Sequence, residues 1–308
     1  MRIVICIPGF RPDAWVAAFR AALPEASIEV WSEDLAPGAD YAVVWSPVPA
    51  LFEQQKNLKA VFNLGAGVDA LMHIANLPAS LPVVRLGDAG MSVQMAEYVC
   101  QAVTRFARGL ARHESDMVEG GWNQRFPTPR SQFPVGVMGL GAIGARVAKA
   151  LAHFEYPVYG WSRSKRHIDG VTTFAGRAEL DQFLAATRVM VCTLPLTEDT
   201  AGILSKANLL KLKPGAYIIN VGRGAHLVEE DLMALIEEGH VSGATLDVFK
   251  TEPLPPDHRL RKMKGVTLTP HISAVTILDD SVAQIAGKIV KLEHGEAVDG
   301  IVDRNQGY

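Results

Sequence analysis

Short apolar, β-branched runs recur along the first part of the chain, at 3–7, 41–45, 60–64 and 83–86, with helix-period segments such as 13–23 between them. That alternation predicts a parallel sheet covered by helices, because parallel strands need long crossovers and a helix is the compact way to make one. A longer helical period over 93–118 gives way to a Gly/Pro-rich stretch, 120–134, which holds Trp122 and Phe126 and reads as a linker or an arm. A second, cleaner series follows. It places strands at 135–139, 157–161, 188–194, 216–221, 244–249 and 266–269, and helices at 143–153, 179–186, 206–211 and 229–238. A final helix is expected at 278–294. The fold class predicted is α/β, with two doubly wound parallel-sheet domains. No solenoid-length repeat or low-complexity segment interrupts the pattern.

One loop in this pattern carries chemistry. The segment VGVMGLGAIG sets Gly139, Gly141 and Gly144 at GxGxxG spacing between an apolar strand and an apolar helix that opens with Ala142 and Ile143. In that context the motif predicts a Rossmann dinucleotide site. Gly139 permits the tight turn, Gly141 removes a Cβ from the path of a pyrophosphate, and Gly144 lets helix and strand approach. About twenty residues on, where a site for NAD would present a carboxylate to the ribose, stands Trp161-Ser162-Arg163-Ser164-Lys165-Arg166. No acid is present. Arg163 can bond a 2′-phosphate, Ser162 and Ser164 can add hydroxyls and Lys165 adds field, so NADPH is expected over NADH.

Three polar residues follow apolar strands of the second series: Arg223 in INVGRG, Glu252 in LDVFKTEPLPP and His271 in TLTPHIS. Ligands of open α/β sheets bind beyond the strand C-termini, so residues distant in sequence can meet there. A guanidinium can hold a carboxylate through two parallel bonds, and a His paired with a Glu is a proton donor in a fixed tautomer. Beside a hydride donor, that set predicts reduction of a 2-oxo acid, with His271 as general acid and Arg223 steadying the charge on oxygen.

Bulk composition narrows the partners. The chain has 308 residues and is 48% hydrophobic, enough for two packed cores, and its 30 basic and 33 acidic side chains leave no excess suited to nucleic acid. The three cysteines, Cys6, Cys100 and Cys192, are far apart and read as buried apolar thiols. No metal site is expected, since the nine histidines form no helical i,i+4 pair. The apolar run at the start is too short for a signal-peptide core, and no stretch approaches the roughly 20 residues of a membrane span. The expected location is the cytoplasm.

The sequence resembles the D-isomer-specific 2-hydroxyacid dehydrogenases along essentially its whole length, most closely their glyoxylate/hydroxypyruvate reductase A branch. The likeness rests on LGAGVD at 64–69, GMSVQMAEY at 90–98, GLGAIG at 139–144, WSRS at 161–164, NVGRG at 220–224, LDVFKTEPLPP at 246–256, TPHIS at 269–273 and the terminal Gly307-Tyr308. It implies a smaller, flavodoxin-like substrate domain, discontinuous over 1–98 and 276–308, and a cofactor domain over 99–275. It further implies that amides of Gly65, Ala66 and Gly67 bind the substrate carboxylate with Arg223, that Trp45 caps the substrate, and that His271 faces it. Leu194, Pro195, Val221 and Gly222 would line the nicotinamide, with Asp247 near its carboxamide. A homodimer joined through 93–118 and the following arm is implied as well, acting on glyoxylate and hydroxypyruvate to give glycolate and D-glycerate. Gly222 stands where many relatives carry Ser or Ala, and Ser273 where Gly or Ala is usual. Two other readings use the same residues. Formate-type dehydrogenases set a Gln against the His, against which Glu252 stands. A regulatory NAD(P)H-binding module without turnover would call for recruitment tails or a basic surface, which the sequence does not provide.

Overall fold

The computed structural model describes residues 1–304, and the Gly307-Tyr308 pair lies outside the described residues. The chain divides into two compact units, 1–90 with the stretch from Thr276 onward, and 91–275. The division precedes a helix that the expected 98/99 boundary would have cut. A helix belongs whole to one unit because its backbone bonds make it a single rigid element.

The first unit opens with β1 (Arg2–Cys6), α1 (Pro12–Ala22), β2 (Ser27–Val30), β3 (Tyr41–Val44), α2 (Ala50–Gln54), β4 (Ala60–Asn63), α3 (Asp69–Met72) and β5 (Val83–Arg85). Its sheet is entirely parallel in the order β2-β1-β3-β4-β5, the flavodoxin-like arrangement. Val4, Cys6, Val44, Val61 and Val83 share one core cluster. β1, β3 and β4 read as near-continuous apolar runs because parallel strands are buried on both faces.

The second unit contains α4 (Met91–Ala107), α5 (Leu110–Val118), β6 (Val135–Met138), α6 (Ala142–His153), β7 (Val158–Ser162), β8 (Val171–Ala175), α7 (Leu180–Ala186), β9 (Val189–Cys192), α8 (Lys206–Leu209), β10 (Ala216–Asn220), α9 (Glu229–Glu237), β11 (Val241–Leu246) and β12 (Val266–Leu268). The chain then returns to the first unit through α10 (Leu278–Glu293). The seven-stranded sheet runs β12-β11-β10-β9-β6-β7-β8. It starts at β6, builds outward through β7 and β8, then reverses to β9 on the other side, so the glycine loop after β6 sits at the topological switch point.

Alternation along these strands divides two cores. Val135, Val137, Val189, Val191 and Ile219 belong to one cluster, while Met138, Met190, Cys192 and Ile218 belong to the other. Among the described residues no helix is long and apolar enough to cross a membrane.

Four expectations change. The single helix over 93–118 is two helices, broken at Gly109, which takes a left-handed φ of 60°. Hydrophobic period alone does not register such a break. β2 and β8 were not expected, being partly exposed edge strands with weak patterns. β11 begins and ends three residues earlier than read, because Val248 and Phe249 are buried in the loop beyond it and mimic strand residues. Cys100 is half-buried, unlike the buried Cys6 and Cys192.

Gly136 shows how tightly β6 is packed. A Cβ there would stand 2.3 Å from Thr187 Oγ1 and 2.9 Å from the Phe183 ring. Gly136→Ala is therefore expected to destabilise the protein by about 1–3 kcal/mol through overpacking. A urea midpoint equal to that of the wild type would contradict it.

Candidate active site

Arg223 follows β10, Glu252 follows β11 and His271 follows β12, and these strands are parallel neighbours. All three residues thus lie beyond one C-terminal sheet edge. Close backbone approach then draws the first two loops together. A Cβ on Gly224 would stand 1.8 Å from the Phe249 carbonyl carbon, so glycine is what lets the Arg223 turn rest on the segment leading to Glu252.

The Phe249 N–H donates to Glu252 Oε1 at 2.9 Å, and Glu252 Oε2 lies 2.8 Å from His271 Nδ1. With one oxygen on the backbone and the other on the imidazole, Glu252 fixes the ring orientation and turns Nε2 away from itself. The pair remains open to reactants, its side chains 41% and 36% exposed for His and Glu. It lines a cavity of about 530 Å³ with Phe249, Leu254, Leu268 and Thr269. Arg223 is set by its own turn: Nη1 donates to the Gly222 carbonyl at 2.8 Å, and buried Asn220 bonds both the Arg223 carbonyl and the Gly222 amide.

The loop bearing His271 hangs on a buried carboxylate. Asp247 is fully buried; its Oδ1 accepts from Thr269 Oγ1 at 2.5 Å and from the Ile272 amide at 2.8 Å, and its Oδ2 from the Ser273 amide at 2.8 Å. Its backbone carbonyl takes the His271 amide at 2.9 Å. His271 itself has φ of 57°, a left-handed conformation costing a non-glycine residue on the order of 1–3 kcal/mol that its surroundings must supply. Thr269 gives its proton to Asp247, so Tyr98 donates to Thr269 Oγ1 at 2.5 Å. Burial pushes the Tyr98 phenol up to about 12, which keeps that proton in place. The sequence reading set Asp247 near the cofactor but missed this anchoring role. The hint was an acid directly after an otherwise apolar strand.

At the switch point, Gly139 has φ of 103° and its missing Cβ leaves room for the Thr193 carbonyl, while a Cβ on Gly144 would stand 1.8 Å from the Gly139 carbonyl oxygen. A Cβ on Gly141 would meet nothing within 4 Å, and no side chain caps α6 there. Open space before uncapped helix amides suits a pyrophosphate, so the residues fit a dinucleotide. Ser162 ends β7 and donates to the Ser164 carbonyl at 2.8 Å; Arg163 and Ser164 are exposed. Lys165 is turned to the Thr173 carbonyl and lies 3.6 Å from Glu179, which blunts its field. Leu194 and Val221 are buried beyond β9 and β10.

In the first unit, Trp45 follows β3 and its ring occupies the place of a Gly65 Cβ, which would stand 2.3 Å away. Buried Asn63 donates to the Gly65 and Gly67 carbonyls at 3.0 and 2.9 Å, tying down the Gly65-Ala66-Gly67 loop through its acceptors rather than its amides. Among the described residues no cluster of His, Cys, Asp or Glu is arranged to hold a metal.

Residues 100–273 match the family model for the NAD-binding domain of D-isomer specific 2-hydroxyacid dehydrogenases. Over the full length of both chains, the protein is 41% identical to glyoxylate/hydroxypyruvate reductase A of Yersinia enterocolitica and, likewise, to that of Serratia proteamaculans. A solved D-isomer specific 2-hydroxyacid dehydrogenase from Xanthobacter autotrophicus, in complex with NADPH and MES, superposes with a TM-score of 0.95 at 38% identity over 100% of this chain and 99% of that one. An NADPH-dependent glyoxylate/hydroxypyruvate reductase from Sinorhizobium meliloti, with NADP and sulfate, gives 0.94 at 35% over the same shares. Sheet order, glycine loop, His–Glu pair and full-length similarity converge, and the chain belongs to the D-isomer specific 2-hydroxyacid dehydrogenase family.

Proposed function

We propose that this protein reduces small 2-oxo acids, glyoxylate and hydroxypyruvate, to glycolate and D-glycerate with NADPH. The observation that carries the reading is the 2.8 Å contact of His271 Nδ1 with Glu252, placed at the same sheet edge as Arg223. A bound nicotinamide supplies the hydride that reduces the carbonyl carbon. Arg223 binds the substrate carboxylate and steadies the negative charge that grows on the carbonyl oxygen. His271, its Nδ1 proton held on Glu252, delivers the proton from Nε2 to that oxygen, completing the alcohol. The Glu252 carboxylate, 2.8 Å from Nδ1, faces the charge of the imidazolium that donates.

The Gly65-Ala66-Gly67 loop is proposed to bind the carboxylate through backbone amides, supported by Asn63 having taken two of its carbonyls. Trp45, resting on Gly65, is proposed to bound the substrate. Gly139, Gly141, Ala142, Ile143 and Gly144 hold the pyrophosphate, and Leu194, Pro195, Val221 and Gly222 face the nicotinamide. Preference for NADPH is assigned to Arg163 with Ser162 and Ser164, since the turn carries no acid to bond a ribose hydroxyl. A homodimer is proposed through α5 and the following arm, where Val118, Trp122 and Phe126 are exposed.

A spectrophotometric panel of 2-oxo acids tests the activity. NADPH oxidation is expected with glyoxylate and hydroxypyruvate, and His271→Asn should lower kcat by about 10²–10⁴, the usual worth of a general acid. A variant turning over like the wild type would remove His271 from this role. For the cofactor, Arg163→Ala should cost roughly one to two decades of the NADPH/NADH ratio of kcat/KM, the value of one charge-assisted bond. An unchanged ratio would refute the assignment.

A further inference from the structure

His226 is fully buried, and both of its ring nitrogens are committed to loops of the site. Nδ1 lies 3.1 Å from the Arg223 backbone nitrogen, and Nε2 lies 3.2 Å from the Pro195 carbonyl oxygen. A backbone amide only donates and a carbonyl only accepts, so Nδ1 bears no proton and Nε2–H points at Pro195. Thr200 Oγ1 donates to the same carbonyl at 2.7 Å, occupying its other lone pair. One neutral imidazole thus joins the turn that bears Arg223 to the segment beyond β9.

The same ring accounts for Gly222. A Cβ at that position would stand 3.0 Å from His226 Nδ1 and 3.2 Å from the Leu194 carbonyl oxygen, closer than side chains ordinarily pack. A Ser or Ala there would press on the imidazole. Gly222 and His226 therefore form a matched pair. The His226 backbone is also fixed, its carbonyl accepting from the Leu204 amide at 2.9 Å, so the ring cannot follow a displaced turn freely.

We propose that His226 is a positioning residue with two separable duties: through Nδ1 it sets the Arg223 turn for the substrate carboxylate, and through Nε2–H it sets Pro195 for the nicotinamide. The proposal rests on the reading of Arg223 and Pro195 given above. It goes beyond packing because each nitrogen serves a different reactant, so losing one bond should be felt by one reactant.

Two variants divide the duties. In His226→Asn the amide oxygen falls near the place of Nδ1 and can still accept from Arg223, but the side chain is too short for Pro195. In His226→Gln the longer amide N–H can reach Pro195 while the Arg223 amide loses its acceptor. The expected result is an increase in the KM for glyoxylate of about tenfold in the Gln variant with the KM for NADPH little changed, and the reverse in the Asn variant, the scale of one lost hydrogen bond. Equal shifts in both constants for both variants, or none, would overturn the proposal. Arg223→Ala separates the two layers. If it leaves the KM for glyoxylate unchanged, the Arg223 reading falls; if it raises that KM while both His226 variants behave as wild type, only the His226 proposal falls. Should either variant fail to fold in a urea titration, the wild-type protein without ligand still decides. Nuclear magnetic resonance should show a scalar coupling from the Arg223 amide across the hydrogen bond to an unprotonated imidazole nitrogen, and its absence would overturn the proposal.

Discussion

The buried carboxylate of Asp247 is the interaction on which the site depends. A charge with no exposure to water must be met by donors, and the donors here are the Thr269 hydroxyl and the Ile272 and Ser273 amides, which bracket His271. Bonds to a charged acceptor contribute about 1.5–3 kcal/mol each, enough to hold one residue in a left-handed conformation. The strained φ at His271 is what delivers its Nδ1 to Glu252. The proton donation proposed for His271 thus traces back to an acid that need not touch the substrate.

The sheet supplies the rest of the convergence. Because β10, β11 and β12 are adjacent and parallel, their following loops leave from one edge, and the chain reverses direction across the sheet between β6 and β9, beside the glycine loop. Small residues then set the spacing. Gly224 lets the Arg223 turn touch the Phe249 backbone, and Gly144 lets α6 lie on the Gly139 carbonyl. Side chains at these places would push apart loops that the chemistry needs close.

Much of this was readable from the sequence because parallel strands buried on both faces leave continuous apolar runs, because the glycine spacing stands between a strand and a helix, and because an Arg, a Glu and a His after such runs, each weak alone, point to one sheet edge together. The edge strands β2 and β8 were not, since one open side weakens their pattern. Nor were the supports. Asn63, Asn220 and His226 look like unremarkable polar residues in sequence, and only burial and bond direction show that they hold the Gly65, Arg223 and Pro195 backbones. The break at Gly109 was hidden because a glycine within a helical period can either continue or end it.

Asp247→Asn tests the anchoring claim most directly. The substitution keeps the shape but replaces one acceptor oxygen by an N–H that must face a donor of the His271 loop. Single-turnover oxidation of NADPH by glyoxylate is the measurement. The hydride-transfer rate is expected to fall by at least about tenfold at saturating NADPH, the scale of one lost charge-assisted bond. A wild-type rate at saturation, with only the affinity for NADPH altered, would contradict it.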